Sequence, residues 1–323
     1  MVAPTPPPIR YGRPMTNLDR NLAREHPNEA RGGSATAEDS DTLTALIRSL
    51  TLVETGTDRF QTALPVEKWQ RLFGGEIFAQ ALTAASHTVA ADRIPHSIHG
   101  HFLRPGRPEV PIAFRVERDR DGASFSSRRV AAYQEEVLVF TLGASFHPAE
   151  AGFAHQEDMP DVAPPEHLRS EEDIRREQAG AMIGAVREFA LRSMPIELRP
   201  VTPRDFVSPV PQPAIQHFWF KPKSSVPDNG LLRRAVLAYV SDMMLLSTAL
   251  LPHGTHWSTT RIQNASLNHS LWLHAQPDFS DWMLYSLDSP WAGGGRALCR
   301  GSIFDRAGKL VASVAQEGLL RLR

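Results

Sequence analysis

Hydrophobic and polar positions follow two periods along this chain, first helical and then alternating. From Thr42 the segment "TLTALIRSLTLVETG" carries leucine and isoleucine at helical spacing, and "LFGGEIFAQALTAASHTVAA" opens a second apolar helix on a glycine pair. Four alternating stretches follow between residues 96 and 146, with turns at Asp121–Gly122 and at "QEE". This pattern predicts one long helix followed by an antiparallel run of about four strands.

The same order returns in the second half of the chain. "HFWFKPKSS" reads as a strand, "LLRRAVLAYVSDMMLLSTALL" as a long apolar helix stopped by Pro252, and four alternating stretches close the sequence. Aligning His96 with His269 also places Ser97 opposite Ser270, and the two helices then place Gln80 opposite Asp242. These correspondences predict two copies of one structural unit.

Composition shifts divide the chain into four parts. Residues 1–41 are rich in proline and poor in large apolar groups, which predicts a flexible tail. The first repeat occupies 42–150 and the second 216–323, the latter carrying the candidate acid residue. Between them, 151–215 is a proline-rich connection in which "SEEDIRREQAGAMIGAVREFAL" predicts one helix with a capping-box start.

The charge balance and the cysteine count narrow the class of protein. Lys+Arg 35 against Asp+Glu 36 argues against a general nucleic-acid or membrane-surface protein. We expect no membrane span, since no apolar run approaches roughly 20 residues, and no secretory signal. Cys299, the single cysteine, excludes an internal disulfide and favours the cytoplasm. Its alternating surroundings predict a buried structural thiol, with a nucleophile as the alternative.

Three histidines in "HSIHGHFLRPG" raise the question of a metal site. On a strand, His99 and His101 share one face while His96 lies on the other. Only His96 and His101 recur in the second repeat, and their spacing places them on opposite faces. We therefore predict packing or hydrogen-bonding roles for these histidines, and no bound metal.

Six motifs occur in an order that resembles the acyl-CoA thioesterase II (TesB-like) family over Thr42 to Leu322. They are "FGGEIFAQAL", "HSIHGHFLRPG", "RDGASFSSRRVAA", "YVSDMMLL", "NHSLWLH" and "VASVAQEG". The resemblance implies an α+β tandem double hotdog, with two long helices each wrapped by an antiparallel sheet. It also implies hydrolysis of fatty acyl-CoA to free acid and coenzyme A, without cofactor or covalent acyl-enzyme, in a homodimer or larger homo-oligomer.

The resemblance also assigns catalytic residues. The family's helix aspartate falls on Asp242, its strand glutamine on Gln316, and its hydroxyl residue, often threonine, on Ser266. Asp242 would activate or hold the attacking water, while Ser266 and Gln316 orient it. Serine keeps the hydroxyl but loses the β-branch that restricts χ1. Asn268 stands where the family pattern has an aspartate, which removes a charge near the site.

Substrate-binding groups are inferred from architecture. Backbone N–H groups at Gly74 and Gly75 would form an oxyanion hole at a helix start, where the dipole favours negative charge. The pair Arg128–Arg129 is a candidate for coenzyme A phosphates, or else a solvated pair.

Three other functions compete with thioester hydrolysis. A hotdog hydratase would need an Asp and a His close together near a helix start, and neither helix has such a pair. A serine hydrolase would need a G-x-S-x-G elbow, whereas "GASFH" and "GASFS" lack the second glycine. A non-catalytic acyl-CoA or lipid-binding module stays open, and turnover would separate it from an enzyme.

Overall fold

A computed structural model describes residues 37–63 and 72–323 of the chain. Most of the predicted tail, residues 1–36, lies outside the described residues. The first helix begins at Ala37, inside the segment assigned to the tail, because the helical pattern extends N-terminal to its first large apolar residue. The elements of the first half are α1 (Ala37–Leu50), β1 (Leu52–Gly56), β2 (Arg59–Thr62), α2 (Gly74–Ser86), β3 (Ile94–Phe102), β4 (Ala113–Asp121), β5 (Ser126–Gln134) and β6 (Val137–His147).

The connection between the halves contains more structure than one helix. It holds a 3-10 turn (Pro165–His167), α3 (Glu171–Gln178), α4 (Gly184–Ala190) and β7 (Ile196–Pro200). Ser170 caps α3, since its Oγ accepts the backbone N–H of Asp173 at 3.0 Å. The single helix predicted here is interrupted by a 3-10 turn at Ala179–Ala181 and by Gly184, whose φ of 57° is left-handed.

The second half begins with a sheet strand and a capped helix. Asn229 starts the helix, because its side chain accepts the N–H of Leu232 at 2.9 Å. The long helix predicted for this half is also divided: its α-helical part ends at Ser241, and a 3-10 segment follows at Leu246–His253. The elements are β8 (Ile215–Pro222), α5 (Gly230–Ser241), β9 (Ile262–Ser266), β10 (Asn268–Leu273), β11 (Met283–Gly293), β12 (Arg296–Phe304) and β13 (Leu310–Leu322).

All thirteen strands of the described residues belong to one antiparallel sheet. Its order is β1-β2-β4-β5-β6-β3-β10-β13-β12-β11-β8-β7, with β9 added on β13. The two halves join where β3 pairs with β10, in a register that sets Gly100 against His269. This junction places β10 and β13 at the centre of the sheet.

The central helices pack against this sheet. Helix α2 packs against β3–β6 and against α5, while the 3-10 segment Leu246–His253 packs against β8 and β11–β13. One hydrophobic core runs through both halves, so the two repeats fold as one body around these helices.

Among the described residues, the helical segment Gly230–His253 is long and apolar enough to cross a membrane by length and composition. This differs from the expectation that no apolar run comes near that length. Within this segment, 78% of the most apolar 18-residue stretch is buried in the fold, as in the core helix of a globular domain.

Candidate active site

Asp242 stands immediately after α5, at the point where the chain leaves the helix. Met244, two residues later, has a left-handed φ of 62°, a conformation that ends the helix and is uncommon for a non-glycine residue. The Met244 carbonyl is held by the Gln216 Nε2 at 3.0 Å and by the Ser247 hydroxyl at 2.6 Å. These bonds fix the turn and therefore the direction of the Asp242 carboxylate.

The three predicted catalytic side chains meet at this carboxylate. Gln316 donates through Nε2 to Asp242 Oδ1, and through the same nitrogen to Ser266 Oγ at 3.0 Å. The Ser266 hydroxyl lies 3.4 Å from Asp242 Oδ1. Pairing of β9 with β13, which sets Ser266 opposite Gly318, brings the serine beside the glutamine. Residues 242, 266 and 316 thus come from three separate elements.

Burial changes the acidity of Asp242. The residue is only 8% exposed, and loss of solvent raises its pKa from the ordinary 3.8 to about 6. Hydrogen bonds from Gln316, from the Gly75 backbone N–H and from Ser266 lower the pKa against this larger effect. A carboxylate with a pKa near 6 is ionised at neutral pH and still basic enough to accept a proton from water.

The glycine pair at the start of α2 lies directly against this site. A Cβ atom on Gly74 would come within 2.6 Å of Asp242 Oδ2, and one on Gly75 within 2.5 Å of the Tyr239 carbonyl oxygen. Only glycine therefore allows α2 to begin this close to the end of α5. The role of these amides as oxyanion donors stays a prediction.

The arginine pair does not form an open phosphate site. Arg128 is 1% exposed, and its donors bind Thr88, Asp121 and two further backbone carbonyls. This corrects the prediction that Arg128 binds coenzyme A phosphates or is solvated, because adjacent residues on a strand face opposite sides and Arg128 faces inward. Arg129 is exposed and pairs with Asp119 and Glu117, so its contact with coenzyme A stays a prediction.

One buried residue of the site was not predicted from the sequence. His269 on β10 is fully buried, and its Nδ1 lies 4.0 Å from Asp242 Oδ1. Burial lowers the pKa of His269 to about 3, so the imidazole is neutral. The available signal was strand alternation: Leu271 and Leu273 are apolar, and His269 shares their face.

A cavity of about 240 Å³ reaches Asp242 from the connection between the repeats. Its wall is largely apolar and comes from α3 and α4, the turn after α5, and the loop at residues 256–258. Glu171, Arg175 and Arg204 add charged groups. The apolar lining includes Phe73, Met182, Val186, Phe189, Met244, Leu245 and Leu246.

The remaining candidates have structural contacts. His96 bonds Ser145 at 2.9 Å, and His99 bridges Ser97 and Ser270 at 2.8 and 2.9 Å. Within residues 37–63 and 72–323, no group of three or more His, Cys, Asp or Glu is placed to hold a metal. Burial raises the pKa of the Cys299 thiol to about 11, which disfavours the nucleophilic thiolate.

The duplicated helix-on-sheet unit is the architecture of a tandem hotdog protein, and here a buried acid lies beside an apolar cavity. Two family models match this chain: "Acyl-CoA thioesterase N-terminal domain" over residues 65–147 and "Acyl-CoA thioesterase" over residues 195–319. The chain is 35% identical to acyl-CoA thioesterase 2 of Haemophilus influenzae, covering 87% of this chain and 99% of that protein. It is 38% identical to acyl-coenzyme A thioesterase 8 of Mus musculus, covering 79% and 81%. The chain therefore belongs to the acyl-CoA thioesterase family.

Solved structures agree with this assignment. The crystal structure of acyl-CoA thioesterase II TesB2 from Mycobacterium marinum superposes with a TM-score of 0.69 at 36% identity, covering 86% of this chain and 98% of that one. A hot dog protein from Alicyclobacillus acidocaldarius, at 18% identity, gives 0.67 with the same coverage and supports the fold alone. The predicted family and the double-hotdog fold are confirmed, and the predicted enzyme class, a thioester hydrolase, is that of the family.

Proposed function

We propose that this protein hydrolyses fatty acyl-CoA thioesters, with Asp242 as the general base. Water attacks the thioester carbonyl carbon while Asp242 takes one of its protons. The tetrahedral intermediate then collapses, the C–S bond breaks, and the coenzyme A sulfur receives the proton from Asp242. The products are a free fatty acid and coenzyme A, and no acyl group becomes attached to the protein.

Ser266 and Gln316 have an orienting role in this proposal. Both side chains already bond Asp242, which limits the carboxylate to one orientation. Each can also donate to or accept from a water held beside it. We assign stabilisation of the oxyanion to amides at the start of α2, around Gly74 and Gly75, where N–H groups without an intrahelical partner and the helix dipole favour negative charge. The Gly75 N–H also donates to the Asp242 carboxylate.

The cavity beside Asp242 suits the acyl chain. Its apolar wall would remove methylene groups from water, worth about 0.8 kcal/mol for each group buried. We propose that the carbonyl carbon stops at Asp242 while the chain extends between α4 and the turn Met244–Leu246. Association into a homodimer or larger homo-oligomer is a further part of the proposal, carried by the resemblance.

The observation that supports this function is that Ser266 and Gln316 both bond the Asp242 carboxylate, which lies at the end of an apolar cavity. The test follows thiol release from a series of saturated acyl-CoAs with a thiol-reactive dye, for the wild type and Asp242→Asn. We expect release by the wild type and a loss of roughly 10²-fold or more in the variant. Acyl-CoA binding without thiol release by the wild type would instead identify a binding module.

A further inference from the structure

His269 carries an unsatisfied polar atom at the centre of the site. Its imidazole is 0% exposed, and Nδ1 has no hydrogen-bond partner among the described residues. A buried acceptor without a partner costs free energy, and a catalytic role or a bound water is among the reasons that native proteins keep such an atom.

The hydrogen bond at Nε2 of His269 determines which ring nitrogen carries the proton. The Ser241 hydroxyl donates to the Ala238 carbonyl at 2.8 Å, so its oxygen is left to accept from His269 Nε2, also at 2.8 Å. The imidazole therefore carries its proton on Nε2, and Nδ1 presents a lone pair. Phe78 packs edge-on against the ring, with centroids 4.7 Å apart, and limits its rotation.

The unpaired Nδ1 lies close to the catalytic carboxylate. Nδ1 and Asp242 Oδ1 are 4.0 Å apart, too far for a direct hydrogen bond, and neither atom carries a hydrogen when Asp242 is ionised. One water molecule can satisfy both, because hydrogen bonds of about 2.8 Å to each acceptor are compatible with that separation.

We propose that His269 is a water-positioning residue: Nδ1 accepts one hydrogen of the attacking water while Asp242 accepts the other. With both hydrogens engaged, a lone pair of the water oxygen is free to face the thioester carbonyl carbon. The proton transferred in the reaction goes to Asp242, and His269 stays neutral throughout. This inference rests on the proposed function, since it needs Asp242 to be the base.

Two substitutions test the roles of Nδ1 and Nε2 separately. His269→Asn keeps a carbonyl oxygen close to the position of Nδ1 and loses the group that bonds Ser241. His269→Gln keeps an amide N–H close to the position of Nε2 and loses the acceptor toward Asp242. We expect His269→Gln to fold with a near-normal Tm and to lose kcat on the order of tenfold or more, with little change in KM. His269→Asn should be less stable than His269→Gln and should keep more of the wild-type kcat.

The reverse result would overturn the proposal. If His269 only supports the fold, His269→Gln stays active and His269→Asn loses activity together with stability. Equal loss of kcat in two folded variants would also reject the assignment to Nδ1.

If His269→Gln does not fold, Ser241→Ala is the second variant. It keeps the imidazole and removes the hydroxyl that holds the proton on Nε2. The proton can then move to Nδ1 and compete with the water for Asp242, so kcat should fall at constant KM, and unchanged kcat would reject the proposal. These outcomes require an active wild type. A wild type without thiol release, or an active Asp242→Asn, would count against the proposed function itself.

Discussion

Gly75 and Tyr239 are packed so closely that the start of α2 touches the main chain of α5: a Cβ atom on Gly75 would lie 2.5 Å from the Tyr239 carbonyl oxygen. A backbone carbonyl cannot rotate away as a flexible side chain can. The same contact brings the Gly75 N–H to Asp242, where it lowers the carboxyl pKa. The glycine therefore matters for helix packing and for the electrostatics of the site together.

The first prediction concerns Gly75→Ala. The added methyl group must push the two helices apart, which we expect to cost about 1–3 kcal/mol of stability and to lower kcat, because Asp242 moves with α5. Chemical denaturation and steady-state kinetics measure the two effects. Gly143→Ala is the control, since a Cβ atom there meets nothing within 4 Å. A Gly75→Ala protein as stable and active as this control would refute the packing argument.

The second prediction concerns pH. Because burial raises the pKa of Asp242 to about 6, the base is protonated below that pH and kcat/KM should rise as pH increases through about 6. Gln316 stabilises the ionised carboxylate, so Gln316→Ala should raise the pKa of Asp242 and move the rising limb to higher pH.

Initial rates between pH 4.5 and 8.5 for the wild type and Gln316→Ala give this comparison. The imidazole of His269, with its pKa lowered to about 3, does not titrate in that range. A flat wild-type profile, or a limb displaced to lower pH in the variant, would exclude Asp242 as the titrating base.

The third prediction concerns stability. A carboxyl whose pKa is raised on folding, here from 3.8 to about 6, adds stability that is fully present below its unfolded pKa, where it is protonated in both states. That stability is lost as pH rises through about 6, and at pH 8 the buried charge costs up to about 3 kcal/mol. Asp242→Asn removes the charge, so we expect the variant to be more stable than the wild type at pH 8 by about 1–3 kcal/mol.

Denaturant titrations of both proteins at pH 8 and at pH 4.5 test this prediction. The stability difference should shrink at the lower pH, where Asp242 is protonated in the folded wild type. A variant less stable than the wild type at pH 8 would show that the carboxylate is stabilised in the fold, in conflict with burial as the dominant effect on its pKa.

Strand alternation made most of the sheet predictable, and it failed where strands were short. The alternation of β13, with Val314, Gln316 and Gly318 on one face, could be recognised in the sequence because it continues over many residues. Strands β1, β2 and β7 have only four or five residues, too few for a period to stand out. The break after Asp242 also escaped prediction, because a left-handed Met244 is imposed by tertiary hydrogen bonds and leaves no local sequence signal.

The site was predictable only in part for a similar reason. The family resemblance named residues 242, 266 and 316, and the fold brings their side chains into contact. The position of Arg128 in the sequence does not show whether its side chain points into the core or into solvent. The sequence therefore predicted a solvated or substrate-binding arginine, whereas Arg128 is buried. Strand β5 lies four strand spacings, about 19 Å, from β13, which separates the arginine pair from Gln316.

The fourth prediction tests the cavity as the acyl-chain site. Met182 lies in its wall and is 8% exposed, whereas the adjacent Ile183 is 86% exposed. Tryptophan at position 182 would occupy part of the cavity of about 240 Å³, while tryptophan at position 183 would point into solvent. We therefore expect Met182→Trp to lower kcat/KM for long acyl-CoAs by roughly tenfold more than for short ones, a difference of about 1.4 kcal/mol.

Ile183→Trp should keep the wild-type profile at every chain length. The measurement is kcat/KM for saturated acyl-CoAs from short to long with each protein, after a thermal melt confirms that both variants fold. Equal losses at all lengths in Met182→Trp would indicate damage to the fold around Ala179 and Phe206, which share a small core with Met182. An unchanged profile in a folded Met182→Trp would place the acyl chain elsewhere. A selective loss of long substrates would show that the connection between the two repeats sets the length of chain that reaches Asp242.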